Sequence, residues 1–157
     1  KITSMIMLIV IGASFLNFTL ASAGLGRELT EFMTGLGLTP LKTILVVVVL
    51  YIVLGFFIET LSLMVVTIPI IVPLVLAQGY DVIWFGIFIV VVVEMAQVTP
   101  PIGFNLFVLQ GMTRHEIGYI SMTAIPMVGL MVVMVVILVV WPELATWLPE
   151  NARRGPS

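Results

Sequence analysis

The chain has 157 residues, of which 61% are hydrophobic and only 9% are charged, and its mean hydropathy is +1.29. An ordinary soluble domain has about 25% charged residues and about 45–50% apolar residues. The net charge is −2 and no basic patch indicates a nucleic-acid partner. The absence of cysteine excludes disulfides, thiol catalysis and thiolate metal sites, and the single histidine argues against a catalytic metal centre. The composition is that of an integral membrane protein.

The first apolar segment covers residues 2–25, and a connection follows at residues 26–42. Within that connection, residues 29–36 are compatible with a short interfacial helix. The chain opens on Lys1 and shows neither an initiator methionine nor a signal-peptide cleavage site. We therefore expect the sequence to be part of a longer protein.

Residues 43–77 form an apolar stretch of about 35 residues, and a straight helix of that length would overshoot a hydrocarbon core of about 30 Å. The stretch is interrupted by polar residues at positions 59–62 and contains two prolines further on. Two interpretations remain open, a long tilted helix kinked at the prolines and a re-entrant hairpin with its tip near residues 59–62. The polar tip favours the hairpin, because irregular backbone at membrane depth is tolerated only against protein or a water-filled cavity.

Residues 82–112 form a second interrupted segment. Pro100 and Pro101 lack a backbone N–H, and each disfavours helical geometry in the residue before it. A continuous helix therefore cannot pass from Thr99 to Gly103. The sequence predicts a broken membrane helix whose freed backbone groups lie near the middle of the bilayer.

Residues 117–141 predict a final membrane span, and Trp141 and Trp147 are typical of an interfacial anchor. We expect a transporter domain over residues 1–149 and a polar, disordered tail over residues 150–157. Two interrupted, polar-centred segments in one stretch of membrane sequence indicate half of a secondary transporter.

The two interruptions supply the groups expected of an ion and substrate site. Unwound backbone in hydrocarbon leaves polar groups unpaired, at several kcal/mol each, unless they bind something. Freed carbonyls suit Na⁺, and the N-termini of half-helices suit anions. The hydroxyls of Thr60, Ser62 and Thr99 and the amide of Asn105 could complete such shells, because a hard cation prefers oxygen ligands.

Glu59 and Glu94 are acids embedded in apolar surroundings. Carboxylates inside a membrane point to function by default. Two roles stay open for each, direct handling of an ion or proton, and structural support in which a protonated or amide-bonded carboxyl holds the break open. The structural role is the favoured interpretation.

The interruptions lie within an ordered series of motifs that extends over nearly the whole chain. The motifs are GFFIET at 55–60, TIPIIVP at 67–73, GYDVIWFG at 79–86, EMAQVTPPIGFNLFV at 94–108 and WPELATWLP at 141–149. In combination they resemble the large membrane subunit of tripartite ATP-independent periplasmic (TRAP) transporters. Two positions depart from the family pattern, namely Glu59, where a shorter acid is frequent, and Gln97, where a small or aliphatic residue is frequent.

The resemblance implies an all-α, elevator-type secondary transporter of two inverted repeats, each with a re-entrant hairpin and a broken transmembrane helix. This chain would be the C-terminal half, which alone is not expected to transport. The implied partners are a small membrane subunit, a periplasmic solute-binding protein and the lipid bilayer. Na⁺ is the implied coupling ion, without any cofactor, and the implied substrates are organic acids such as C4-dicarboxylates or sialic acid. The implied location is the inner membrane of a bacterium or archaeon, as a multi-pass protein.

The resemblance also implies the position of the site. Residues 59–62 correspond to the hairpin tip and residues 98–101 to the broken-helix loop that faces it, and these two segments form one sodium site and half of the substrate site. The implied Na⁺ ligands are Thr60, Ser62, Val98 and Thr99. The whole set of candidate substrate- or ion-binding residues is Glu59, Thr60, Ser62, Glu94, Val98, Thr99, Pro100, Pro101, Gly103 and Asn105.

An alternative is a divalent-anion or citrate Na⁺ symporter of the same broad superfamily, which needs no binding protein. An enzyme is not expected, because one aspartate in a turn and one histidine in another do not make a catalytic constellation. A scaffold subunit would have no reason to break a helix at two adjacent prolines.

Overall fold

The computed structural model describes residues 39–101 and 103–154, together with scattered positions between residues 4 and 37. The predicted first apolar segment and the predicted interfacial helix at residues 29–36 fall largely outside the described residues. Across the described residues the structure is helical and contains no strand, which confirms the all-α class.

Six helices follow one another from residue 40 to residue 154. In chain order they are α1 (Pro40–Gly55), α2 (Thr60–Ala77), α3 (Val82–Val98), α4 (Phe104–Thr113), α5 (Ile117–Val140) and α6 (Glu143–Arg154). Of the described helices, α2 and α5 are long and apolar enough to cross a membrane, whereas α1 and α3 are shorter apolar helices.

The apolar stretch at residues 43–77 forms two helices joined by a turn. Helix α1 ends at Gly55 and α2 begins at Thr60. The hydroxyl of Tyr51 is hydrogen-bonded to that of Thr67, and these two residues are equally far along the chain from Glu59. The arms therefore run side by side in opposite directions, so the described residues form a helical hairpin and not one long kinked helix, while re-entry into the membrane stays a prediction.

Helix α3 is the centre of the structure and packs against each of the other five helices. Its exposed positions, which include Val82, Ile87 and Val90, are apolar as well, so the helix shows no single apolar stripe in its sequence. Its buried residues are Trp84, Phe85, Phe88, Ile89, Val92, Val93, Met95, Ala96 and Gln97. A helix in this position determines where the segments at its two ends are placed.

Trp84 connects α3 to the end of α5. Pro142 lies four residues after Leu138 and has no N–H, so the carbonyl of Leu138 loses its helical donor. The indole Nε1 of Trp84 donates to this carbonyl at 2.8 Å. The indole ring also stacks between Tyr80 and Phe88, with ring centroids at 4.6 and 4.9 Å. A carbonyl freed by proline is thus satisfied by a side chain of the central helix.

The end of α1 lies against α3 at Gly55. A Cβ atom at this position would stand 2.6 Å from the Cβ of Ala96 and 3.0 Å from its carbonyl carbon. Both distances are shorter than van der Waals contact, so only glycine permits this approach.

The last helix continues beyond the domain boundary that the sequence predicted at residue 149. Helix α6 extends to Arg154, and residues 155–157 lie outside the described residues. Glu143 in its first turn complements the helix dipole. The side chain of Asn151 donates to the carbonyl of Trp147 at 2.8 Å. These interactions are consistent with helix where a disordered tail was expected.

Replacing Gly55 by alanine should destabilise the full-length protein by about 1–3 kcal/mol, because the new methyl group overlaps Ala96. Gly86→Ala is the matched control, since no atom lies within 4 Å of a Cβ placed there in the same helical context; it should be neutral or stabilising by at most about 1 kcal/mol. Thermal unfolding of the purified protein in detergent measures both. Equal effects of the two substitutions would contradict the close contact.

Trp84→Phe should destabilise the protein by about 1–3 kcal/mol, because the carbonyl of Leu138 is left buried without a donor. Pro142→Ala returns an N–H to the position four residues after Leu138. In the Pro142→Ala background the loss of stability caused by Trp84→Phe should therefore be smaller than in the parent protein. A double-mutant cycle on thermal stability measures the difference, and strictly additive effects would show that the carbonyl does not need the indole.

Candidate functional site

Both interruptions lie at the C-terminal end of α3. The side-chain Nε2 of Gln97 donates to the carbonyl of Ile58, in the hairpin turn, at 2.7 Å. Gly55 and Ala96 touch beside it. The hairpin turn and the broken-helix loop are therefore neighbours, although Ile58 and Gln97 are 39 residues apart in the chain.

The carboxylate of Glu59 caps the N-terminus of α2. It accepts hydrogen bonds from the N–H of Leu61 at 2.9 Å and from the N–H and hydroxyl of Ser62 at 2.7 and 2.6 Å. Its backbone is extended, as expected of an N-cap residue. These bonds are the ones that the structural role of Glu59 requires, because they hold the turn open and start the second arm.

The broken helix is interrupted where the sequence predicted. Helix α3 ends at Val98, and Thr99 turns the chain away with φ −70° and ψ 121°. The peptide bond between Pro100 and Pro101 is cis. The hydroxyl of Thr99 donates back to the carbonyl of Met95 at 2.6 Å. This bond uses the hydroxyl proton and leaves the oxygen lone pairs of Thr99 available.

Two carbonyls at the end of α3 lose their helical donors. Pro100 and Pro101 stand four residues after Ala96 and Gln97, and neither proline has an N–H. Among the described residues, no other donor replaces them. The C-terminal end of a helix also carries the negative end of its dipole. This end of α3 therefore contains two carbonyl oxygens without a helical donor, on residues that have no exposed surface.

Gly103 lets the chain return against α3. A Cβ atom on Gly103 would stand 2.4 Å from the carbonyl oxygen of Gln97 and 3.0 Å from the amide nitrogen of Thr99. The N–H of Gly103 donates to the carbonyl of Thr99 at 3.0 Å. Helix α4 begins directly after this contact, and no side chain caps its N-terminus. The loop is thus a tight turn between a helix C-terminus and an uncapped helix N-terminus.

Four candidate residues remain, three with polar side chains and one with an apolar side chain. The side chains of Thr60, Glu94 and Asn105 are half-buried and make no hydrogen bond within the described residues. Val98 is half-buried at the end of α3. No hydrogen bond joins Thr60 or Ser62 to the broken-helix loop in the part of the chain that is described. The structure brings the two loops together through Ile58 and Gln97 instead.

An apolar cavity of about 390 Å³ opens between α4 and α5. Of the candidate residues only Val98 lines it, together with residues such as Leu106, Tyr119 and Met127. Its apolar walls do not match an organic anion. The polar groups at the end of α3 are the better candidate site.

Gln97 is the residue that the candidate list omitted. The sequence marked it only as a departure from the family pattern, yet it is fully buried and makes the bond between the two loops. Its side-chain Oε1 has no hydrogen-bond partner within the described residues. A polar residue inside an apolar helix, directly before a break, was the available signal.

Comparison with known proteins identifies the family. Residues 1–144 match the model of the DctM component of the tripartite ATP-independent periplasmic transporter. The chain is 36% identical to the C4-dicarboxylate TRAP transporter large permease protein DctM of Vibrio cholerae over the whole chain and 34% of that protein. It is 34% identical to the isethionate TRAP transporter permease protein DctMQ of Oleidesulfovibrio alaskensis, over 74% of the chain and 18% of that protein.

A third relative is the sialic acid TRAP transporter large permease protein SiaM of Vibrio cholerae, which is 26% identical over 94% of the chain and 35% of that protein. No solved structure matches. The chain spans about a third of the length of the curated large permease proteins that it matches. The chain belongs to the large permease (DctM) family of TRAP transporters, which are membrane transporters rather than enzymes.

Proposed function

We propose that the protein to which this chain belongs is the membrane permease subunit of a Na⁺-coupled importer of organic acids. The observation that carries this proposal is the junction at the end of α3. There a hairpin turn, two freed carbonyls and an uncapped helix N-terminus lie together. Cation ligands and an anion-binding helix end at one place are the features of a symport site.

The cation would bind on the oxygen-rich side of the junction. The carbonyls of Ala96 and Gln97 have no helical donor, and the hydroxyls of Thr60, Ser62 and Thr99 lie on the two neighbouring loops. Oxygen ligands without a fixed charge suit a monovalent hard cation. We place the Na⁺ ligands among Thr60, Ser62, Val98 and Thr99, with these carbonyls as the main-chain contribution.

The anion would bind at the start of α4. The first N–H groups of this helix carry partial positive charge, and no side chain caps them. Asn105 lies in the first turn, and its amide, which makes no hydrogen bond within the described residues, can donate to a carboxylate. The names of the relatives support an organic anion, since they include C4-dicarboxylate, isethionate and sialic acid transporters. We propose a carboxylate substrate of the C4-dicarboxylate type.

The length of the first hairpin arm supports re-entry into the membrane. Helix α1 has 16 residues and α2 has 18, which correspond to about 24 and 27 Å. Helix α1 is shorter than a hydrocarbon core of about 30 Å, whereas α2 is just long enough to cross one, so only the first arm supports re-entry. Since both arms of the hairpin pack on α3, which is the first half of the broken helix, the hairpin and the broken helix would move as one body in an elevator-type cycle.

The family description supports the proposed partners, because it names a tripartite periplasmic transporter. We propose a small membrane subunit and a periplasmic solute-binding protein as the other components. The location that follows is the inner membrane of a bacterium or archaeon, with several spans. A symporter that works without a binding protein is the alternative that the experiment below distinguishes.

Uptake into proteoliposomes tests the proposal directly. The full-length protein is reconstituted with its small subunit, and uptake of radiolabelled C4-dicarboxylates is measured with and without Na⁺ and the binding protein. We expect uptake that requires both. Uptake that needs Na⁺ but not the binding protein would favour the alternative carrier class, and uptake indifferent to Na⁺ would contradict the ion site.

Thr99→Val should raise the Na⁺ concentration for half-maximal uptake by about tenfold, the change expected for about 1.4 kcal/mol of lost binding energy. The substitution keeps the shape of the side chain and removes its oxygen. Thr123→Val is the matched control, because Thr123 makes the same type of bond, to the carbonyl of Tyr119 at 2.9 Å, but belongs to α5 and not to the broken-helix loop. An equal effect of both substitutions would show that Thr99 has only a helix-end role.

A further inference from the structure

Gln97 combines complete burial with an incomplete set of hydrogen bonds. Its side chain has no exposed surface, its Nε2 donates to the carbonyl of Ile58 at 2.7 Å, and its Oε1 has no partner within the described residues. A buried amide without full pairing costs free energy that an apolar residue of the same size would not. The single bond that it makes is therefore the feature that requires explanation.

The bond joins two segments that otherwise meet through apolar contact. Ile58 lies in the hairpin turn, directly before the capping residue Glu59. On the other side, the main-chain carbonyl of Gln97 packs against Gly103 at the return of the broken-helix loop. Gln97 thus contacts the hairpin turn through its side chain and the loop through its backbone.

The bond between Gln97 and Ile58 lies between the two segments that would bind a ligand, the hairpin turn and the broken-helix loop. Among the described residues, Gln97 to Ile58 is the one polar bond between the hairpin turn and α3. A ligand that is bound by atoms of both the hairpin turn and the broken-helix loop needs those atoms at a fixed separation. If the hairpin turn were free to move, the affinity of the site for that ligand would be lower.

We propose that Gln97 is a positioning residue that fixes the hairpin turn against the broken-helix loop through its amide-to-carbonyl hydrogen bond to Ile58. The inference rests on the proposed function in one respect, because the consequence that we expect from the bond is a higher affinity of the junction for the coupling ion. The geometric part, a fixed hairpin tip, does not depend on transport. Gln97 itself does not need to touch the substrate.

Thr43 provides the comparison that separates this role from ordinary packing. It is also fully buried, and its hydroxyl oxygen has no partner in the described part of the chain. It lies in the first turn of α1, at the opposite end of that arm from the hairpin turn. Thr43→Val changes a buried polar atom without touching the junction and serves as the matched control.

The experiment measures the position of the hairpin tip by spin-label distances in the full-length protein in nanodiscs. This chain has no cysteine, so labels can be placed at Phe57 in the turn and Val90 on α3, both exposed in this structure, after any cysteines elsewhere are replaced. Gln97→Met keeps the approximate volume and removes the donor. Gln97→Glu retains a donor only when its carboxyl is protonated.

With Gln97→Met the 57–90 distance distribution should broaden, and the Na⁺ concentration for half-maximal uptake should rise about tenfold. With Thr43→Val both should match the parent protein. Gln97→Glu can donate to Ile58 only while its carboxyl is protonated, so its distribution should narrow toward about pH 4 and broaden toward about pH 9. The parent protein is measured at each pH as the reference.

Unchanged distributions in both Gln97 variants would overturn the proposal, whatever the uptake shows. A variant with reduced folded yield but a parental distance distribution would also overturn it, because Gln97 would then be a packing residue only. If Gln97→Met does not fold, the pH comparison within Gln97→Glu decides. If uptake by the parent protein did not depend on Na⁺, the proposed function would be refuted. The spin-label distances would still be a valid test of the bond between Gln97 and Ile58.

Discussion

The structure depends on the fact that proline has no backbone N–H. In a chain this apolar, a carbonyl that loses its helical donor finds little water to replace it, so another group must bind it. The same loss occurs inside helices at Pro69, Pro73, Pro126 and Pro149, and also at two helix ends, where the outcomes differ. Near the end of α5 the carbonyl of Leu138 accepts the indole of Trp84, whereas near the end of α3 no described donor reaches the carbonyls of Ala96 and Gln97. The end of α5 is therefore a structural contact, and the end of α3 has the features of a binding site.

The central position of α3 connects these two places. One end of the helix is held to α5 by Trp84, and the other end is held to the hairpin by Gln97 and the Gly55 contact. The hairpin turn and the broken-helix loop are therefore positioned by the same rigid element. A site built on the ends of a packed helix can keep its ligand atoms at a constant separation while the whole unit moves.

The parts of the fold that depend on local chemistry were predictable. Adjacent prolines had to end α3, and the polar residues at 59–62 indicated the hairpin turn, where Glu59 proved to be an N-cap. The contact between Gln97 and Ile58 was not predictable, because it joins residues far apart in the chain and depends on how α1 packs against α3. The extension of α6 to Arg154 was also missed, since its polar composition resembles that of a solvated tail. The ion and substrate roles of the candidate residues remain predictions.

The most direct measurement is a high-resolution structure of the full-length transporter determined once in Na⁺ and once with Na⁺ replaced by a large organic cation. We expect ion density in Na⁺ alone, bound by the carbonyls of Ala96 or Gln97 together with hydroxyls of the hairpin turn or Thr99, and a hairpin turn that keeps its bond to Gln97. Identical maps in the two conditions at this junction, or ion density only elsewhere in the protein, would contradict it.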